Sequence, residues 1–259
     1  MTRIIGITSG KGGVGKTTTT VNLATALTAL DKSVIIVDAN LTTPNIGLHL
    51  GMPLSGVTLH DVLDGDAFIT EAITIHPSTG VRVVPAGLNI DNLNRLNYNM
   101  LGSTIFDLLG YADFILVDCP AGLDVGSQKV IQACEEVLIV TNPELPAVTD
   151  ALKAKKFAET NAHVLGIVLN KVRHVKSEMT VSEIEQIIES PVAVIVPHDD
   201  RVQESISKKV PLLELAPNSP ASKEWRRLAR LIEGLEFEDV LPSDIGGMKR
   251  FFAKLFRRG

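Results

Sequence analysis

An α/β fold with a doubly wound, mostly parallel sheet and helices on both faces is what this sequence predicts, and three observations point to it. Short apolar runs rich in Val and Ile recur along the chain without polar alternation, as strands covered on both faces require. Between most of them lie stretches of helical composition, and alternating strand and helix favours right-handed crossovers between parallel strands. Aromatic residues make up only 4% of a chain that is 45% hydrophobic, so Val, Ile, Leu and Ala must fill the interior.

Taken in order, the strand pattern opens at residues 4–9 and returns at 34–38, 81–85, 114–118, 137–141, 164–170 and 192–197. Helices are expected over 17–30, 101–109, 125–133, 147–160 and 181–189, with a last amphipathic one over 222–234. No internal repeat or low-complexity segment interrupts the series. Residues 236–247 are acidic and then contain Pro, Ser and Gly, the composition of a linker. The chain therefore divides into a domain (1–235), a linker (236–247) and a tail (248–259).

Composition narrows the function classes. Cys119 and Cys134 sit in apolar surroundings without a CxxC spacing, which reads as buried thiols in a reducing compartment. The six histidines show no metal-ligand spacing, so no zinc site is expected. Met1-Thr2-Arg3 runs straight into a strand pattern with no signal peptide. No apolar run reaches the roughly 18 residues a membrane span needs, so a cytoplasmic location is expected. The net charge is −5, yet the last twelve residues hold five bases and no acid, leaving −10 on residues 1–247. An acidic body disfavours a broad nucleic-acid surface, and no direct DNA binding is expected.

The run Gly10-Lys11-Gly12-Gly13-Val14-Gly15-Lys16-Thr17 satisfies G-x-x-x-x-G-K-[ST] between an expected strand and an expected helix. Glycines let the backbone curl so that successive N–H groups face phosphate oxygens. The helix start, from Lys16 through Thr18, adds its positive dipole end. Lys16 can reach the β- and γ-phosphates as a point charge, and the Thr17 hydroxyl can ligate Mg²⁺. Asp38 and Asp118 end expected strands beside this loop, where such sheets bind ligands.

The early lysine, Lys11, makes this run similar to the deviant Walker A motif of the MinD/ParA group of P-loop ATPases. That group also includes nitrogenase iron protein and the Mrp-type scaffold ATPases. The resemblance spans essentially the whole chain and includes Val37-Asp38, Val117-Asp118-Cys119-Pro120-Ala121-Gly122 and Val140-Thr141-Asn142-Pro143-Glu144. It implies a SIMIBI-like P-loop NTPase that binds ATP or ADP with Mg²⁺ and forms a homodimer in the ATP state. Lys11 would then reach the partner's phosphates, while Asp38 and Asp118 would lie near Mg²⁺ and its waters. Asn170-Lys171 and Pro197-His198-Asp199 follow expected strands at positions where relatives contact adenine; a strand-end or turn role for Asn170 remains open. Many relatives carry a second aspartate where this chain has Asn40. There a carboxylate is thought to orient the attacking water, and an amide cannot take its proton, so slow hydrolysis is expected.

In the tail, Met248, Phe251, Phe252, Leu255 and Phe256 share one helical face, and Lys249, Arg250, Lys254, Arg257 and Arg258 fill most of the rest. A basic amphipathic helix with exposed Phe is the pattern of an interfacial anchor for an anionic membrane, and it resembles the membrane-targeting helix that ends MinD proteins. Docking on its own domain, or binding nucleic acid or a partner protein, are the competing readings. The combined expectation is an ATP-gated positioning ATPase at the inner membrane surface that recruits other proteins, an activator or a cargo. A DNA-partitioning ATPase of the ParA kind is the alternative. A metal-cluster or redox carrier would need paired cysteines at a dimer axis.

Overall fold

The protein is described by a computed structural model over residues 1–53, 56–87 and 98–235. The linker and tail therefore lie outside the described residues. The strands are β1 (Arg3–Ser9), β2 (Val34–Asp38), β3 (Thr74–Ile75), β4 (Arg82–Val84), β5 (Phe114–Ala121), β6 (Glu136–Thr141), β7 (His163–Val172) and β8 (Val192–Pro197). They form one sheet in the order β3-β4-β2-β5-β1-β6-β7-β8, antiparallel only at β3–β4.

Burial follows the period of two that strands impose. Ile4, Ile35, Val37, Ile115, Val117, Val137 and Ile139 enter one core, and Ile5, Ile7, Ile36, Leu116, Leu138 and Val140 enter the other. The first core is closed by α3 (Leu59–Leu63), α4 (Leu101–Phe106), α5 (Val125–Gln132), α6 (Leu145–Ala158) and α7 (Val181–Ile188). The second is closed by α1 (Lys16–Thr28), α2 (Ile46–Leu50), α9 (Leu212–Leu215) and α10 (Pro220–Glu233), with α8 (Arg201–Lys208) at its margin. The chain leaves β1 toward β2 on one side and later crosses from β5 to β6 on the other. The carboxyl end of β1 is thus the point where the winding reverses, and there such sheets leave a crevice.

All seven expected strands are present with ends shifted by up to three residues, and β3 is an addition. Its two residues are both exposed, so it carries no apolar signal. The helix expected over 101–109 stops at Phe106, because a turn follows in which Leu109 N–H bonds Phe106 O and Gly110 adopts φ 86°. Helices α2, α3 and α9 were not expected; at five, five and four residues they are too short to display a helical period. Helix α8 was also not expected, since Ser205 is its one buried residue and its apolar face consists of Val202 and Ile206 alone.

At the opposite end of the sheet, the Arg3 guanidinium bonds Glu136 at 2.8 and 2.9 Å and also reaches the Ile232 carbonyl. Lys32, just before β2, pairs with Glu233. These contacts seat the end of α10 beside the amino ends of β1, β2 and β6.

Candidate functional site

The phosphate loop lies between β1 and α1, and its shape depends on two glycines that tolerate no side chain. Gly15 precedes α1 at φ 101°, and a Cβ there would sit 2.2 Å from Asn170 Nδ2. A Cβ on Gly10 would sit 2.1 Å from the Asp150 carbonyl oxygen. Gly12 and Gly13 instead face open space, which is room for an anion against bare backbone. Neighbouring elements hold the loop. Asn170 Nδ2 donates to Val14 O at 2.8 Å, Lys171 Nζ to Gly13 O at 2.7 Å, and Ser9 Oγ to Lys11 O at 2.7 Å.

Beneath the loop, the parallel register sets Asp38 of β2 directly opposite Asp118 of β5. Both carboxylates are buried, each about 1% exposed. Thr17 Oγ1 donates to Asp118 Oδ2 at 2.6 Å, and Thr20 Oγ1 to Asp118 Oδ1 at 3.2 Å. Asp38 accepts three backbone N–H groups: Asn40 at 3.3 Å, and Asn45 and Ile46 at 3.0 Å each. Burial pushes Asp38 up to about 8, with the Asp118 charge adding to it, and pushes Asp118 up to about 6 against the opposing Thr17 bond and Lys16 charge. Burial likewise lowers the Lys16 ammonium, and Asp118 opposes that shift. Two desolvated carboxylates beside a hydroxyl and an open anion cradle form an oxygen donor set suited to a hard divalent cation carried by phosphate.

These groups border a cavity of about 870 Å³. Its lining includes Gly12, Gly13, Gly15, Lys16, Thr17, Thr18 and Asn40, with Asn170 and Lys171, which bond the phosphate loop, and Pro197, His198 and Asp199. Gly10, Val14, Asp38 and Asp118 lie under the lining and shape it. Lys11 is exposed outside the lining, and among the described residues no hydrogen bond or ion pair holds its ammonium. The Asn170 amide is engaged on both sides, because its Oδ1 also accepts Lys171 N–H at 2.9 Å. At the rim, Arg201 pairs with Asp199 at 2.9 Å, and His198 lies 3.1 Å from Asp200. The Asn40 amide donates to Thr43 O at 2.7 Å, and its Oδ1 accepts from Thr43 Oγ1 at 3.1 Å.

Sequence reasoning missed Thr20, Asn142, Arg173 and Glu178. Thr20 had a signal, since it stands one helical turn after Thr17 on the same face. Asn142 lies in the motif over residues 140–144 but was given no role there, and Arg173 and Glu178 come from a loop with no motif. Asn142, with its amide turned to satisfy its neighbours, donates to Val14 O and Asn170 O at 3.2 Å. Glu178 accepts the backbone N–H groups of Arg173 and His174 and folds that loop over the cavity.

A family model described as a ParA-type, NUBPL iron-transfer P-loop NTPase matches residues 1–233. The chain belongs to the ParA family of P-loop NTPases. It is 36% identical to an uncharacterized ATP-binding protein of Methanocaldococcus jannaschii, over 90% of this chain and 88% of that one. It is 32% identical to the septum site-determining protein MinD of Thermotoga maritima, over 99% of this chain and all of that protein. Among solved structures it is similar to MinD of Pyrococcus horikoshii in complex with Mg-ADP. That match has a TM-score of 0.86 and 32% identity, over 96% of this chain and 99% of that one. The protein is an ATPase of this family, with ATP or ADP and Mg²⁺ as its nucleotide and metal. Among the described residues no helix is long and apolar enough to cross a membrane.

Proposed function

We propose that this ATPase is a positioning device, a homodimer closed by ATP that sits on an anionic membrane surface and recruits other proteins there. The observation that carries the reading is Lys11, a cation in the phosphate loop that stands exposed outside its own cavity. An ammonium that does not face its own nucleotide is placed to meet the phosphates of a second copy. The similarity to proteins named for septum-site determination supports division-site placement as the process. The tail, outside the described residues, supplies the membrane contact by its apolar stripe and its five bases. One such tail binds weakly, and two joined in a dimer bind far more tightly through effective concentration.

Within the site, residues 10–18 cradle the phosphates and Lys16 neutralises their β- and γ-oxygens. Thr17, Asp118 and Asp38 hold Mg²⁺ directly or through its waters, and the ion supplies positive charge against the phosphate oxygens. Asn170, Lys171, Pro197, His198 and Asp199 frame the base. Asn40 orients the attacking water through its amide oxygen but cannot take its proton, so hydrolysis is slow. Its N–H bond to Thr43 O is one that an aspartate could not make, which supports an amide as the residue this loop was shaped around.

A DNA-partitioning ATPase is the weaker reading, because the body without the tail carries −10. The test pairs Lys11→Ala with a chain truncated before Met248, measured by light scattering and by co-sedimentation with anionic vesicles and with DNA. Lys11→Ala is expected to bind ATP yet stay monomeric, and the truncated chain to dimerise yet leave the vesicles. Dimerisation of Lys11→Ala with ATP, or ATP-dependent sedimentation of the wild type with DNA but not with vesicles, removes the proposal.

A further inference from the structure

The loop that carries Asn40 is fixed by groups lying outside the nucleotide cavity. Its far end is capped by Asp38, which accepts the N–H groups of Asn45 and Ile46. Its near end is held by His60 of α3, a side chain only 2% exposed. His60 Nε2 stands 3.1 Å from Leu41 O, and Gly87 N–H donates to His60 Nδ1 at 2.9 Å. A carbonyl only accepts and an amide N–H only donates, so these two bonds require a neutral ring with its proton on Nε2. Burial favours the same state by lowering the ring's affinity for a second proton, while the Leu41 bond, Asp61 and Asp64 oppose it. Leu41 is the residue after Asn40 and is itself 1% exposed. Without the ring, the Leu41 carbonyl and the Gly87 N–H would both need new partners in a buried setting.

We propose that His60 is a positioning residue for ATP hydrolysis: it fixes the Leu41 carbonyl and thereby holds the Asn40 amide over the cavity, without touching the nucleotide. The neighbouring loop contact repeats the chemistry, since His49 Nδ1 donates to Asn45 O at 2.9 Å. The inference rests on Asn40 as the water-orienting group, so the experiment reads the loop and the rate separately.

The full chain is compared as wild type, His60→Ala, His60→Gln and Asn40→Ala. Measurements are hydrogen–deuterium exchange over residues 40–46, single-turnover ATP hydrolysis, and ATP affinity. Glutamine keeps one donor and one acceptor on a side chain of similar reach, and it carries the test if the alanine variant does not fold. Faster exchange in His60→Ala, a hydrolysis rate lower by about tenfold, affinity within about twofold of wild type, and partial recovery in His60→Gln are expected. Unchanged exchange overturns the proposal, as does a matching loss of ATP affinity that glutamine does not restore. Faster exchange with an unchanged rate also overturns it, and Asn40→Ala then locates the fault. If Asn40→Ala is slow, the hold of His60 on the loop does not set the rate; if it is as fast as wild type, the Asn40 reading itself has failed.

Discussion

The two ends of the nucleotide cavity are built by different means. At the phosphate end, a contiguous run of eight residues meets two carboxylates placed side by side by strand register. Its carboxylates are buried, and Gly10 and Gly15 are dictated by contacts that no side chain could share. At the base end, the chain after β7 and β8 and the start of α8 converge, held by rim pairs in which one partner is open to water, Arg201 (47% exposed) to Asp199 (6%) and Asp200 to His198. Exposed pairs contribute about 0–1 kcal/mol, whereas charge-assisted bonds in a partly desolvated site contribute about 1.5–3. The contrast predicts that affinity belongs to the phosphate end and that the base end trims selectivity.

The largest effect expected from that contrast is on Lys16→Ala, which removes the cation from the phosphate end and weakens ATP by on the order of 100-fold or more, read by calorimetry. A loss no greater than that of a rim variant would erase the distinction between the two ends.

A middle-sized effect concerns the carboxylate pair in nucleotide-free, chelated protein. In the unfolded chain both protons leave near the ordinary value of 3.8, but in the fold Asp118 keeps its proton to about 6 and Asp38 to about 8. The folded state therefore binds more protons than the unfolded state across that window, so stability falls as pH rises through it. The melting temperature is expected to drop between about pH 4 and pH 8, and Asp38→Asn to flatten the upper part of the slope. Adding Mg²⁺ and ADP is expected to reduce the slope, because the cation stabilises the ionised pair. A melting temperature that rises over this range would show that the pair is ionised in the empty fold.

The smallest effect belongs to the rim. Arg173→Ala, which loses a 3.4 Å contact to His198, is expected to change ATP affinity by less than about threefold, measured in the same calorimeter. A tenfold loss would move binding energy to the base end and invert the comparison.

What was legible in the sequence divides along the same line. The strands announced themselves because burial on both faces leaves almost no polar residue in Ile4 to Ile7 or Val34 to Val37. The phosphate loop was legible because its requirements are local: Gly15 must take positive φ, and Lys16 and Thr17 must start the helix. Asp38 was legible as a strand end and is one, whereas Asp118, read as a strand end, lies three residues inside β5, which runs on to Ala121; their pairing across the sheet is a matter of register that no local pattern encodes. Arg173 and Glu178 were invisible because their work depends on tertiary placement alone, and Asn142, visible as part of a motif, gave no sign of its bonds to Val14 and Asn170. Asn170 was read as a base contact, and the structure adds that its amide pins Val14 of the phosphate loop. His60 looked like any helical histidine until Leu41 and Gly87 were found on either side of its ring.

The seating of α10 by Arg3 and Lys32 has a mechanical consequence. β1 is seven residues long and rises about 3.3 Å per residue, so Ile232 and Glu233 sit roughly 20 Å from the phosphate loop at the other end of the same strand. The molecule has a jaw at one pole and a grip at the other. The described chain therefore ends, at Leu235, at the pole away from the phosphate loop, and in the proposed dimer the two chain ends would leave at points well separated from the two phosphate loops.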